Sequence, residues 1–339
     1  MVLELDVIVW RGAILESRHR VQAVAADARG RSALSTPEPD LVTTFRSAAK
    51  PFQALPLVER GHLDRWNLSD EDLAVICASH TGSPEHVARV RGILGRIGQD
   101  ESALACGYHD PLDPVSLEYV RSHPEARSPV YNNCSGKHAG MLCLALSEGW
   151  PVRGYERLDH PLQQLMRRTV GEACGMDPDS LGVAVDGCSV PVFALPLSAM
   201  ARGYANLASA RPEQGPRPRA LDRIRRAMTS YPRMTGGAGR LSTDLMEAAP
   251  GKLCAKGGAE GLECLALTDS GLGIAVKSED GNARPLGPAV LSVLDQLGAL
   301  DGEALEKVAA LRRPLVRNVV GLEVGRLEAR VTPPLPAVR

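Results

Sequence analysis

Strand-like stretches crowd the two ends of this chain and helix-like stretches fill its middle, and that ordering limits the fold more than any other feature. Residues 3–10 alternate partly, with Leu5, Val7 and Val9 on one side. Further strand patterns at residues 13–17 and 21–26 follow across turns at Arg11-Gly12 and Ala28-Arg29-Gly30-Arg31. Strands are expected again only late, at residues 253–256, 263–267, 273–276 and 318–324, interrupted by helices over 288–297 and 302–310. A βαβ chain would alternate its elements throughout. This order instead predicts an α+β fold, with one antiparallel sheet formed by the N- and C-terminal strands and a large helical portion between them. Residues 1–330 are read as a single catalytic unit, and residues 331–339 as a Pro-rich tail, extended or frayed.

The middle carries helix signals of several kinds. Ser69-Asp70-Glu71-Asp72 is a capping-box start for a helix to about residue 77, and Ser83-Pro84-Glu85 opens another to about residue 97. Residues 136–148 and 161–173 place apolar side chains on one stripe and are followed by Gly149 and Gly175. Residues 47–59, 192–201 and 221–229 are read as helical too, with Pro51 tolerated in a first turn and Pro56 expected to kink its helix.

Composition matters mainly for what it excludes. A formal net charge of −1 argues against a nucleic-acid grip built on excess positive charge. The basic group Arg217, Arg219, Arg223, Arg225 and Arg226 is read as a solvated helix face. No apolar run reaches the roughly 18 residues that a membrane span needs, so no membrane partner is expected. Acids stand near the start, where a signal peptide would be basic, so the expected location is the cytoplasm. The eight cysteines are scattered, without a C-x-x-C pair, and read mostly as buried thiols.

The chemistry sits in short polar segments at the ends of these elements. Ser47-Ala48-Ala49-Lys50 puts a hydroxyl and an amine three residues apart, and so on one face of a helix. A serine hydroxyl is a weak nucleophile until a base takes its proton. A lysine can be that base only when burial or another cation lowers its pKa. Further polar segments are Cys77-Ala78-Ser79-His80-Thr81-Gly82, Tyr131-Asn132-Asn133-Cys134-Ser135-Gly136-Lys137-His138, Asp186-Gly187-Cys188-Ser189-Val190-Pro191 and Cys254-Ala255-Lys256-Gly257-Gly258-Ala259-Glu260-Gly261. Cys134 and Lys137 stand across a helix start, where a thiolate is favoured, and Cys188 offers a second sulfur. These residues read either as buried thiols or as ligands of a zinc ion.

Taken in order, these segments resemble the L-asparaginase II family, the rhizobial-type inducible asparaginases. The resemblance rests on R-S-A-A-K-P-F-Q, C-A-S-H-T-G, N-N-C-S-G-K-H-A-G-M, D-G-C-S-V-P, T-G-G-x-G-R and A-K-G-G-A-E-G, and it covers nearly the whole chain. It implies a fold similar to serine β-lactamases and glutaminases. It also implies hydrolysis of L-asparagine to L-aspartate and ammonia through a seryl acyl-enzyme. Ser47 would be the nucleophile with Lys50 as base, and Ser79 with Lys256 would relay protons. Arg46, His138, Asp186, Arg240 and Glu260 would hold the amino-acid substrate. Cys134, Lys137 and Cys188 would bind zinc near the pocket, and the protein would be a homodimer. Two other functions fit parts of the pattern. A β-lactamase-like acylase shares S-x-x-K, but Lys256-Gly257-Gly258 stands where Lys-Thr-Gly would be expected. A non-catalytic amino-acid or zinc sensor would keep the pocket without turnover.

Overall fold

The computed structural model describes residues 1–333, and these divide into two compact units. In chain order the strands are β1 (Glu4–Arg11), β2 (Ile14–Ala26), β3 (Ser32–Ser35), β4 (Val42–Thr44), β5 (Gly182–Val185), β6 (Pro191–Pro196), β7 (Leu253–Gly258), β8 (Leu262–Leu267), β9 (Leu272–Ser278), β10 (Leu315–Arg317) and β11 (Glu323–Thr332).

The first unit comprises Met1–Thr43, Leu195–Ser209 and Asp244–Arg339. Its sheet has the order β10-β11-β1-β2-β9-β8-β7, with β3 added on β2. The pairs β1–β11, β1–β2, β2–β9, β8–β9 and β7–β8 are all antiparallel. The two ends of the sequence therefore close one sheet, as the ordering of its elements predicts. Buried Leu5, Val7, Val9, Val21, Ala23, Ala25, Ile274 and Val276 build its core. The helix Leu197–Ser209 packs against β2, β8 and β9. Gly273 is what lets it approach, since a Cβ there would lie 2.0 Å from Ala201 O. The helix Leu286–Gln296 packs against β1, β9 and β11.

The second unit comprises Thr44–Ala194 and Ala210–Thr243 and is mostly helical. Its helices Lys50–Glu59, Asp70–Ile76, Ser135–Ser147, Pro161–Cys174 and Pro216–Ser230 pack on one another. Ser69 caps the second of these in a full capping box closed by Asp72. Gly136 and Gly140 lie where two helices meet. A Cβ on Gly136 would come within 2.2 Å of Val75 O, and one on Gly140 within 2.5 Å of Ile76 Cγ2.

Five expectations need correction. Residues 47–59 are two pieces, a 3₁₀ turn Arg46–Ala49 followed by the helix Lys50–Glu59. Residues 192–201 are not one helix. β6 runs over Pro191–Pro196, pairs Val192 and Phe193 with Ala184 and Val183 on β5, and gives way to a helix at Leu197. Residues 318–324 hold a turn rather than a strand: Gly321 takes φ +85° and the strand begins at Glu323. The arginines of the helix Pro216–Ser230 are not simply solvated. Arg217 pairs with Glu59 and Glu172, Arg223 with Asp64 and Asp70, and buried Arg225 with Asp222. The expected tail also begins too early, since Val331 and Thr332 complete β11; residues 334–339 lie outside the described residues.

Candidate active site

Most of the expected site residues belong to the helical unit. Phe45 N–H donates to Phe193 O, and the chain then turns sharply into the 3₁₀ segment that carries Ser47. Arg46 makes that turn with φ +45°, a left-handed conformation that costs a side-chain-bearing residue about 1–3 kcal/mol. Its guanidinium is held by Asp186, with Nε 2.9 Å from Oδ1. Ser47 is partly exposed beside them, while Ala48, Ala49 and Lys50 are buried. Arg46, Ser47, Lys50, Lys137 and Asp186 line one small cleft floored by Val192 and Phe193.

Lys50 is 1% exposed. Its ammonium donates to Ala78 O at 2.5 Å, to Ser79 Oγ at 3.0 Å and to Asn133 O at 3.4 Å. The lysine of the S-x-x-K run is thus hydrogen-bonded to the serine of the second motif. Ser79 is placed by its own N–H, which donates to Thr235 O, and His80 N–H donates to Asn133 O. His80 is wholly buried. Gly82 N–H donates to its Nδ1, so Nε2 carries the proton and donates to Ser135 Oγ, which donates to Val130 O. Burial first, then the neighbouring His86, Lys50 and His109, keep His80 well below the usual histidine range.

The third and fourth motifs bring two sulfurs and an amine together. Lys137 Nζ lies 3.0 Å from Cys188 Sγ, and all three of Cys134, Lys137 and Cys188 are buried. The thiol of Cys188 donates to Cys134. That hydrogen bond lowers Cys134 well below the usual thiol range against the opposing effect of burial, with the Lys50 and Lys137 charges adding to it. The same bond and burial push Cys188 up. Burial pulls Lys137 down, but Cys188 and Cys134 outweigh it and the net direction is up. Among the described residues no group of three or more His, Cys, Asp and Glu is arranged to hold a metal. The third donor here is an amine instead, and the S,S,N set suits a borderline-soft cation.

Three expected substrate contacts are differently placed. His138 is fully buried, with Nδ1 2.6 Å from the Tyr155 hydroxyl, and burial first and then Lys137 and Lys50 keep it neutral. Arg240 is exposed in the turn before the helix Leu241–Ala248. Glu260 belongs to the sheet unit, exposed at the β7–β8 turn with φ +63°. Lys256 is in that unit too, buried on β7, with Nζ donating to Gly257 O at 2.8 Å.

Sequence reasoning singles out neither Tyr155 nor the backbone carbonyls of Ala78 and Asn133. Tyr155 accepts from Ala105 N–H and meets His138, and only the tertiary fold brings it there. Cys106 is equally inconspicuous in the sequence. Burial and then Cys134 raise its thiol to about 12.

The chain belongs to the L-asparaginase II family, which it matches over residues 7–329. No curated protein matches it. Among solved structures it is similar to Mglu in its native form, at 18% identity and a TM-score of 0.46, covering 84% of this chain and 63% of that one. The chain therefore spans somewhat under two thirds of the length of Mglu. A protein from Bacteroides dorei described as a putative beta-lactamase aligns at 12% identity and a TM-score of 0.39, covering 86% of this chain and 94% of that one. The Bacillus subtilis glutaminase YbgJ, in covalent complex with 5-oxo-L-norleucine, aligns at 12% identity and a TM-score of 0.37, covering 83% and 87%. Among the described residues no helix is long and apolar enough to cross a membrane.

Proposed function

We propose that this protein hydrolyses L-asparagine to L-aspartate and ammonia through a seryl acyl-enzyme. The observation that carries the reading is the buried Lys50 ammonium hydrogen-bonded to Ser79 Oγ, three residues after the accessible Ser47, in a chain of the L-asparaginase II family. In its neutral form Lys50 takes the proton of Ser47 as Oγ attacks the carboxamide carbon. The tetrahedral intermediate collapses, the C–N bond breaks, and ammonia leaves with a proton returned by the lysine. Water then attacks the ester and releases aspartate. Ser79 relays protons to and from Lys50, and Lys256 serves as a second base for that relay. Asp186 and Glu260 suit the substrate ammonium group. His138 acts from behind the pocket, as a neutral ring beside Lys137.

A second reading makes Ser79 the nucleophile, since it is the hydroxyl that Lys50 touches. Ammonia release by the parent, Ser47→Ala and Ser79→Ala, with mass spectrometry of the trapped acyl peptide, separates the two. The expected result is a loss of about a thousandfold or more in Ser47→Ala and an acyl group on the peptide bearing Ser47. An acyl group on Ser79 selects the second reading. Release that survives both substitutions removes the seryl mechanism.

Cys134, Lys137 and Cys188 are the residues that would hold zinc. One thiol already inclined to ionise, a second sulfur and an amine 3.0 Å from it make a suitable donor set. Bound there, zinc would supply local positive charge for substrate orientation. A Cys188→Ser protein purified without added metal is expected to lose most of its zinc, and equal zinc in mutant and parent would end this assignment. The eight free, buried cysteines fit the reducing cytoplasm.

A further inference from the structure

Residues 105–113 form neither helix nor strand, yet two of the ordered polar motifs are tied to them within the helical unit. Thr81 O accepts from Leu112 N–H at 2.8 Å and from Asp113 N–H at 2.9 Å. Asn132 Nδ2 donates to Cys106 O at 2.9 Å and to Gly107 O at 3.0 Å. Asn133 N–H donates to His109 Nε2 at 2.9 Å. The first four of these bonds use only backbone atoms of the loop. The last uses a side chain, so it is the one that depends on which residue stands there.

Both nitrogens of that ring are committed. A peptide N–H can only donate and a carbonyl can only accept. Nε2 therefore turns its lone pair toward Asn133, while Nδ1 carries the proton and donates to Asp110 O at 2.8 Å. No ring nitrogen is left for a substrate, so what His109 contributes passes through Asn133.

Several parts of the site meet at Asn133. Its carbonyl accepts from His80 N–H at 3.2 Å and from the Lys50 ammonium at 3.4 Å. Its Oδ1 lies 3.2 Å from Cys134 Sγ. The residue stands between the 3₁₀ turn Pro129–Tyr131 and the helix Ser135–Ser147 and belongs to neither. Among the described residues, His109 is the partner of its N–H.

We infer that His109 is a positioning residue for Lys50: by accepting from Asn133 N–H it fixes the residue whose carbonyl receives the lysine ammonium and the His80 N–H. This rests on the asparaginase reading above, in which Lys50 moves the proton of Ser47. A catalytic group misplaced by about 1 Å costs on the order of a hundredfold in rate. The loss should fall on turnover rather than on binding, since His109 has no nitrogen free to hold substrate.

The test uses the full-length chain and two variants that differ mainly in having an acceptor. In His109→Gln, Oε1 can stand in for Nε2; in His109→Leu nothing can. For L-asparagine, kcat per folded protein is expected to fall about 10- to 100-fold in His109→Leu, with KM changed by less than about threefold. His109→Gln is expected to stay within about threefold of the parent in both constants. Amide hydrogen exchange reads the same bonds without turnover. The Asn133 and His80 amides should exchange at least about tenfold faster in His109→Leu than in the parent or His109→Gln. Ring ¹⁵N shifts of the parent should show Nδ1 protonated and Nε2 bare. An unchanged kcat in His109→Leu, equal losses in both variants, or the opposite tautomer overturns the assignment. So do Asn133 and His80 amides that exchange alike in all three proteins. A parent that releases no ammonia, while these two amides still depend on the acceptor at position 109, refutes the asparaginase reading and supports the positioning role.

Discussion

Lys50 shows what a motif can and cannot reveal. S-x-x-K announces a serine and a lysine on one local face, yet the lysine's hydrogen bonds run to Ala78, Ser79 and Asn133, each distant in sequence. Spacing reports neighbours along a helix, and a 3₁₀ turn followed by an α-helix aims the long side chain elsewhere. The Cys134–Lys137–Cys188 grouping is legible as residue types, and its closeness is a tertiary fact. Two fully buried histidines belong to this scale as well. His80 and His138 have pKa values held well below 6.5 in the folded chain, chiefly by burial. The unfolded chain therefore binds more protons between the two values. Their contribution to stability is full above pH 6.5 and declines as pH falls through the folded pKa values. Urea midpoints are expected to be level from about pH 8 to 7 and to drop between about pH 6.5 and 5. A midpoint that holds constant down to pH 5 contradicts this.

Elements are most legible where local chemistry decides them. Ser69 and Asp72 form the capping box their spacing announces, and the helix Pro161–Cys174 ends at Gly175 with φ +68°. Legibility fails where the same residue types serve two structures. Val192 and Phe193 suit a helix or a strand, and the pairing with β5 settles it, although β5 lies several residues earlier and is itself exposed. Val319, Val320 and Leu322 have the composition of a strand but sit exposed in a turn, because Asn318 and Gly321 close it. Glycine has its clearest structural role where Ser135–Ser147 meets Asp70–Ile76. Gly136→Ala would drive a methyl into the Val75 carbonyl. The expected loss is about 1–3 kcal/mol in urea unfolding, the range for an overpacked core. Since Lys137 is the next residue, the same variant should lose activity beyond its loss of stability. Unchanged unfolding would mean that the two helices can separate freely.

At the scale of the whole molecule, the α+β class is legible because strand patterns cluster at both ends of the sequence, and a sheet with β1 between β11 and β2 satisfies them. The two compact units are not, because the connections carry no linker composition. Each unit recruits segments far apart in sequence, so no single stretch marks a boundary. The distribution of sulfur is also a property of the whole chain. All eight cysteines are free and buried. A thiol reagent is expected to label the native protein slowly and to reach all eight groups per chain after unfolding. A lower count under denaturing, non-reducing conditions would reveal a disulfide.

Among the described residues, three of the four non-glycine residues with positive φ, Arg46, Ser189 and Glu260, fall inside the ordered polar motifs. Glycine at any of them would relieve about 1–2 kcal/mol of backbone strain, offset in part by about 0.5–1 kcal/mol of added chain entropy. A library screened for folding alone would thus drift toward glycine at these positions, whereas one screened for turnover would retain arginine and glutamate. The disagreement between the two screens would map where this chain has traded robustness for chemistry, whatever the substrate.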